Sequence, residues 1–374
     1  MRNLQLVLAA AAVTAAIATA CQADDARTVD SRAGKVAVED LVGGLDHPWG
    51  LAFLPDGRLL LTERAGRLRI LGTDHKLSPP LEGVPEVFAQ NQGGLLDVAL
   101  DPDFATNRVI YLSYAEPGGP GASTAFARAT LSDSGVTGVK VVFRQEPKVS
   151  GGGHFGGRIV FSGKQHMFLT TGERQKFEPS QDLMSHLGKV IRLNRDGTVP
   201  KDNPFVGRAD AKPEIWSYGH RNVQGAAIDP ATGVLWTIEF GPKGGDELNH
   251  PEAGKNYGWP LVSWGNHYDG RDIPDPPTRP DLVDAVKYWN PVISPSGMIF
   301  YTGSMFPTWK GRLLISGLSS KSLTVLKVEG SKVTDEERVE MGERIRDVEQ
   351  GPDGSIYVAT DESDGHIWRL MPQR

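Results

Sequence analysis

The chain has 374 residues, 39% of them hydrophobic, a formal net charge of −6 and a single cysteine. An acidic balance without a basic stripe argues against a nucleic-acid partner, because phosphate binding needs clustered Lys and Arg. The lone Cys21 excludes an intramolecular disulfide and any cysteine-based metal site.

At the N-terminus, Arg2 precedes the apolar run Leu4–Ala20. The run is short for a membrane span and has the layout of a secretory signal over residues 1–20, so the protein is expected to be exported. Ala18-Thr19-Ala20-Cys21 is similar to a bacterial lipobox, with Ala18 where leucine is usual. Lipid attachment at Cys21 and ordinary signal cleavage both follow from it. Residues 21–34 are polar and read as a flexible tether. The remaining 35–374 read as a single domain without an internal boundary.

From Leu51 onward the chain repeats one pattern. Leu51-Ala52-Phe53, the turn Pro55-Asp56-Gly57, Arg58–Glu63, the turn Ala65-Gly66 and Arg67–Leu71 form three successive antiparallel strands. The unit recurs at Val98-Ala99-Leu100, Arg158–Phe161, Ala226-Ala227-Ile228, Met298–Tyr301 and Val348-Glu349-Gln350. Six such units predict an all-β protein, a six-bladed β-propeller with four-stranded antiparallel blades. A β-sandwich and two stacked β domains are the competing architectures. Long insertions between Thr171 and Trp216, and between Phe240 and Met298, mark functional loops.

A propeller collects its functional groups at one mouth, where loops enter the central channel. Five segments meet that description. Asn91-Gln92 forms a polar turn ahead of the second unit. His154 lies among five glycines, Gly151, Gly152, Gly153, Gly156 and Gly157, where the backbone can come close to a ligand and an imidazole can take a proton near neutral pH. Arg221 and Asn222 offer donors for a carboxylate or a developing oxyanion. Glu239–Asn249 and Asn256–Pro260 are oxygen-rich, glycine-broken loops of the kind that suit Ca²⁺, without EF-hand spacing. Arg344 and Arg346 fall on one face of an extended segment and call for an anion or paired acids.

In this order the segments resemble the soluble PQQ-dependent glucose and aldose sugar dehydrogenases, the glucose/sorbosone dehydrogenase family. The resemblance runs from about Leu45 to Leu370. Its most specific pieces are Gly219-His220-Arg221-Asn222-x-Gln224-Gly225, Gly241-Pro242 with Asp246-Glu247, Asn256–Pro260, and Arg344-x-Arg346-Asp347. The family is a six-bladed propeller, in agreement with the six units. The resemblance implies that His154 is the general base, that Glu173 orients it, and that Gln92 touches the substrate. It implies that Arg221 and Asn222 hold the quinone, with Arg221 stabilising charge on it, and that Arg344 and Arg346 pair with PQQ carboxylates. Gly241 and Pro242 would ligate the active-site Ca²⁺ through their carbonyls, and Asp246, Glu247 and Tyr257 would form a second, structural Ca²⁺ region. Trp289 would line the substrate cleft. Two positions depart from the family pattern: Ser319 stands where a PQQ-binding lysine follows Leu318, leaving Lys321 to reach the cofactor, and Gly153 stands where the glucose enzyme has an acid.

The function this implies is oxidation of an aldose at C1 to an aldonolactone, by hydride transfer to PQQ with Ca²⁺ as Lewis acid. Electrons would pass to a quinone or a dye. A periplasmic protein is expected, soluble or anchored through Cys21, and acting as a monomer or homodimer. Two other functions fit the residues: a Ca²⁺-dependent lactonase-type propeller, and a non-catalytic sugar-binding propeller, which Ser319 favours.

Overall fold

The computed structural model describes residues 27–373. The expected signal segment and Cys21 lie outside them. Among the described residues, no helix is long and apolar enough to cross a membrane.

Nearly all regular structure is antiparallel sheet, divided into six separate sheets. Their innermost strands are Pro48–Phe53, Leu95–Leu100, Gly156–Ser162, Val223–Ile228, Pro295–Phe300 and Ile345–Gln350. Each coincides with the start of a unit recognised in the sequence, and we number the blades 1 to 6 in that order. Blades 2 to 5 have four strands each. In blade 1 only three strands are regular, and residues 77–81 run beside the third, with Ser78 donating to Ile70 and Leu81 to Leu68. Prolines at 79 and 80 remove ladder donors there, which explains the irregular edge.

Blade 6 closes the ring. The N-terminal strand Gly34–Leu45 pairs antiparallel with the C-terminal strand Gly365–Pro372, so the two ends of the domain share one sheet. Thr28–Ser31 then adds a fifth strand by pairing with Gly34–Ala37. The tether expected as far as residue 34 is therefore already sheet from Thr28. Its alternating small and polar residues satisfy an outer edge without needing a buried apolar face.

Apolar side chains fill the wedges between blades. Leu60, Ile70, Val98 and Leu112 pack between blades 1 and 2; Tyr111, Phe126, Leu169 and Ile191 pack between blades 2 and 3; Trp236, Ile238, Ile315 and Leu326 pack between blades 4 and 5. Each face is the apolar half of a period-two pattern, so burial fixes strand register.

One irregularity repeats around the ring and creates the channel lining. In all six blades the innermost strand slips register against its neighbour near its own start, between Pro48 and Leu51, Leu95 and Val98, Gly156 and Ile159, Val223 and Gly225, Pro295 and Met298, and Ile345 and Asp347. Such bulges re-aim side chains. Hydroxyls on the second strands fill several of them. Thr62 Oγ1 accepts from Gly50 N at 2.9 Å, and Ser113 Oγ accepts from Asp97 N at 2.9 Å. Ser113 also donates to Gly157 O of the next blade, as Thr170 does to Val223 O and Ser316 to Arg346 O. These bonds lock neighbouring blades together beside the channel.

Candidate active site

The entry ends of the innermost strands enclose a cavity of about 360 Å³ lined by Trp49, Arg64, Gln92, Asn222, Gln224, Arg344, Arg346 and Asp361, among others. Several of these side chains sit in or next to the bulges. The extended reading placed Arg344 and Arg346 on one face, and the structure sends both to the same carboxylate oxygen, Asp361 Oδ2, at 3.0 and 2.7 Å. Burial works to raise Asp361, but Arg346, His47 and Arg344 outweigh it and hold the carboxyl far below its ordinary range. Arg346 also donates to Gln224 Oε1 at 3.1 Å and Ser296 Oγ at 3.3 Å. Its Nε is buried without a partner. Arg344 and Arg346 thus share one carboxylate, and with Arg64 also in the lining the cavity carries an excess of positive charge suited to a polyanion.

His154 lies beside this cavity, buried, at φ 54° in the glycine loop ahead of strand Gly156–Ser162. Its backbone N–H donates to Gln92 Oε1 at 2.8 Å, and Asn222 Oδ1 accepts from Gly156 N at 3.1 Å. Two residues of the cavity wall therefore hold the loop. The imidazole Nδ1 is hydrogen-bonded to Glu173 Oε1. Glu173 is fully buried, and its other oxygen accepts from Phe177 N at 2.8 Å and from Lys176 N. Burial works to raise the Glu173 carboxyl, but the His154 hydrogen bond and charge, the Phe177 N–H and the Arg221 charge leave it below its usual range. Glu173 is thus an acceptor-only carboxylate, which puts the imidazole proton on Nδ1 and leaves the Nε2 lone pair available. Burial lowers the His154 pKa, aided by the Arg221 charge, while Glu173 works against the drop.

The glycines have a specific use here. A Cβ on Gly172 would stand 2.1 Å from His154 O, so only glycine lets the two loops approach. Arg174 escaped the sequence reading. Its buried guanidinium donates to Gly151 O at 2.7 Å and to Gly153 O, and lies 3.7 Å over the Phe155 ring, which clamps the loop that carries His154. An arginine directly after Glu173 was the available signal.

Arg221 donates from Nη1 to Gly241 O at 2.7 Å and Phe240 O at 3.2 Å, and its Nε is buried without a partner. Its guanidinium lies 5.2 Å from the Trp259 ring and 6.0 Å from the ring of Tyr268, which is 73% exposed. Tyr268 was also missed, because an exposed tyrosine inside a long insertion carries no pattern.

Calcium was expected in two places, and they fare differently. The Gly241 carbonyl already accepts a guanidinium N–H, and a second cation at that oxygen does not fit while Arg221 holds it. Asp246 is saturated, accepting from Gly241, Ile293 and Ser294 N–H groups, and burial pushes it up to about 6. Beyond it lies an oxygen-rich corner. Asn249 Nδ2 donates to Glu239 Oε1 at 3.1 Å and Glu247 Oε2 at 3.4 Å, while the buried Asn249 Oδ1 has no partner. Burial and the neighbouring Glu239 charge raise Glu247 well above its usual range. Tyr257 stacks on His220 there, at 4.8 Å. Among the described residues no three His, Cys, Asp or Glu side chains form a metal cluster; Glu239 is already held by His220 Nδ1 at 2.9 Å and Arg221 N at 2.6 Å, so the oxygens left for a hard cation are those of Glu247 and Asn249 Oδ1.

Two expected residues do not come to the mouth. Trp289 packs in the core between blades 4 and 5, with its indole N–H donating to Glu336 Oε1 at 3.0 Å. It occupies a short strand, Lys287–Trp289, whose register against Asp246–Leu248 turns the ring inward. Lys321 is exposed, and its Nζ donates to Gly342 O at 3.3 Å, away from the cavity lining. Ser319 Oγ donates instead to Ser294 Oγ, whose residue lines the cavity.

A profile of the family described as "Glucose / Sorbosone dehydrogenase" matches residues 45–369. The chain is 49% identical over 348 residues to the aldose sugar dehydrogenase YliI of Escherichia coli (strain K12), covering 90% of this chain and 93% of that one. The crystal structure of the soluble aldose sugar dehydrogenase from Escherichia coli in its apo form superposes with a TM-score of 0.87 at 48% identity, over 90% of this chain and 100% of that one. The PQQ-bound aldose sugar dehydrogenase of Streptomyces coelicolor superposes with a TM-score of 0.74 at 28% identity, over 90% of this chain and 98% of that one.

Proposed function

This chain belongs to the glucose/sorbosone dehydrogenase family, and from that premise we propose that it oxidises aldose sugars at C1 with PQQ as the hydride acceptor. The observation that carries the reading is a histidine–carboxylate pair, His154 and Glu173, set beside a cavity with more arginine than acid. PQQ brings three carboxylates and an ortho-quinone, which takes the hydride that leaves C1 of the sugar. Arg344 and Arg346 would pair with its carboxylates, and the amides of Asn222 and Gln224 would hydrogen-bond it. Arg221 holds a buried positive charge at the rim, where negative charge develops during the reaction.

The protein's own chemistry centres on one proton. His154 Nε2 takes the proton of the C1 hydroxyl as the C1–H bond breaks, and the sugar leaves as a lactone. Glu173 stabilises the resulting imidazolium and keeps the ring turned to the cavity. Gln92 orients the sugar, and Tyr268 offers an exposed aromatic face for it to stack on. A structural calcium ion would be held by Glu247 and Asn249 Oδ1, beside Tyr257. No catalytic step is assigned to a cation at Gly241 and Pro242.

The test is reconstitution of the purified chain with PQQ and Ca²⁺, an aldose panel and an artificial electron acceptor. Dye reduction is expected, and His154→Ala should lower it by about 10²–10⁴ while PQQ affinity is kept. Full turnover in that variant would overturn the role of His154. Export belongs to the same reading, with electrons passed on to a quinone. Mass spectrometry of the mature N-terminus distinguishes lipid on Cys21 from ordinary cleavage.

A further inference from the structure

We propose that Arg64 is the third carboxylate anchor of the mouth cavity and does the work that Ser319 cannot. The inference rests on the PQQ reading above and concerns how this particular chain holds the cofactor.

Arg64 directly follows strand Leu59–Glu63 of blade 1. Its side chain lines the same cavity as Arg344 and Arg346. Glu63, next in sequence, cannot neutralise it, because both Glu63 oxygens bond Arg67, with Arg69 at 3.6 Å. Nor can Asp361, whose oxygens are taken by Arg344, Arg346 and His47. Among the described residues the Arg64 guanidinium has no ion pair and no hydrogen bond, whereas most other arginines are paired.

The stem of Arg64 is nevertheless held. Its carbonyl accepts from Leu95 N at 3.1 Å and its N–H donates to His47 O at 3.1 Å. Gly94, at φ 140°, lies so close that a Cβ there would stand 2.0 Å from Arg64 O and 2.6 Å from Arg64 Cγ. The turn that carries Gln92 thus grips the arginine. A half-buried, gripped cation with no carboxylate, in a cavity already short of acid, is built for an anionic ligand. It stands on blade 1, next to the blade 6 pair, with its N–H on the carbonyl of His47, whose ring bonds Asp361, so it adds a third guanidinium to the same wall and offers a further carboxylate its own partner. Lys321, bonded to Gly342 O and outside the lining, cannot do so.

Calorimetric titration of the apo chain with PQQ alone, without substrate or dye, tests this. Arg64→Ala should weaken binding about ten- to hundredfold and flatten its dependence on salt, and Arg64→Lys should restore part of the loss. Lys321→Ala should bind as the unaltered chain does. Thermal melting should be the same for Arg64→Ala and the unaltered chain, since no described contact of the guanidinium is lost. Equal affinity in Arg64→Ala, or a loss in Lys321→Ala instead, overturns the proposal while the PQQ reading stands. An unaltered chain that binds no PQQ overturns both.

Discussion

The two ends of the central channel carry opposite charge and use it differently. At the mouth, Arg64, Arg344 and Arg346 face a single carboxylate, Asp361. At the far end, where the innermost strands finish, a second cavity of about 300 Å³ is lined by Asp97, Asp347 and Glu349 with Arg158 as its one cation. There the charges are spent on the protein itself. Arg158 bridges Asp97 of blade 2 at 3.1 Å and Asp347 of blade 6 at 3.0 Å, and it lies 4.1 Å from the Trp49 ring, between the two cavities. Asp97 also accepts from Ile159 N, and Asp347 from Leu51 N, which ties adjacent innermost strands together. Charges satisfied within the chain hold the ring closed. Those left unsatisfied at the mouth mark where a ligand belongs.

The contrast predicts separate consequences for similar substitutions. Arg158→Ala should be the most damaging to stability, by about 3–5 kcal/mol, because it strands two buried carboxylates; denaturant unfolding measures it. Arg344→Ala, at the half-exposed mouth, should leave the midpoint nearly unchanged and weaken PQQ binding instead. Equal destabilisation by both would erase the distinction.

Glu173→Gln comes next and affects chemistry rather than folding. Burial already lowers the His154 pKa, and Glu173 is what counters it. Its loss should lower kcat by about tenfold or more and move the acid limb of the pH–rate profile to lower pH. A limb moving upward would contradict the pairing.

A smaller effect concerns Glu349, which burial and the Asp347 charge push up from 4.5 to about 8. A carboxyl with a raised folded-state pKa contributes stability below its unfolded value and loses it as pH climbs through the folded one. Glu349→Gln should therefore gain in Tm over the unaltered chain between pH 4.5 and 8, and hold that gain above it. A pH-independent difference would mean the far end is not charged as described. The smallest expected change is Tyr268→Ala, with a few-fold rise in KM for aldoses and little change in kcat, since an exposed ring adds only about 0.5–1.5 kcal/mol of stacking.

Much of the architecture could be read along the chain, because period-two apolar alternation and Gly/Pro turns are local signals. All six innermost strands were found this way. The strand at Thr28–Ser31 was not, since its partner is Gly34–Ala37 in a sheet completed by the C-terminus. His154, Arg344 and Arg346 stood out through unusual local composition. Glu173 and Gln92 came through family resemblance, and the structure seats both against His154. Arg64, Tyr268 and Asp361 carried no local pattern, Arg174 offered only its place directly after Glu173, and Trp289 was placed at the cleft by the family resemblance alone.

By itself, then, the sequence determined the strands, the blade count and the residue types available for chemistry, because those depend on local periodicity and composition. Only the tertiary structure decided which charges cancel. Six bulges turn selected side chains into the channel, and ring closure brings residue 64 of blade 1 beside residue 346 of blade 6. The electrostatic sum at each end depends on distances between residues far apart in the chain, and that sum is what separates a binding mouth from a structural floor.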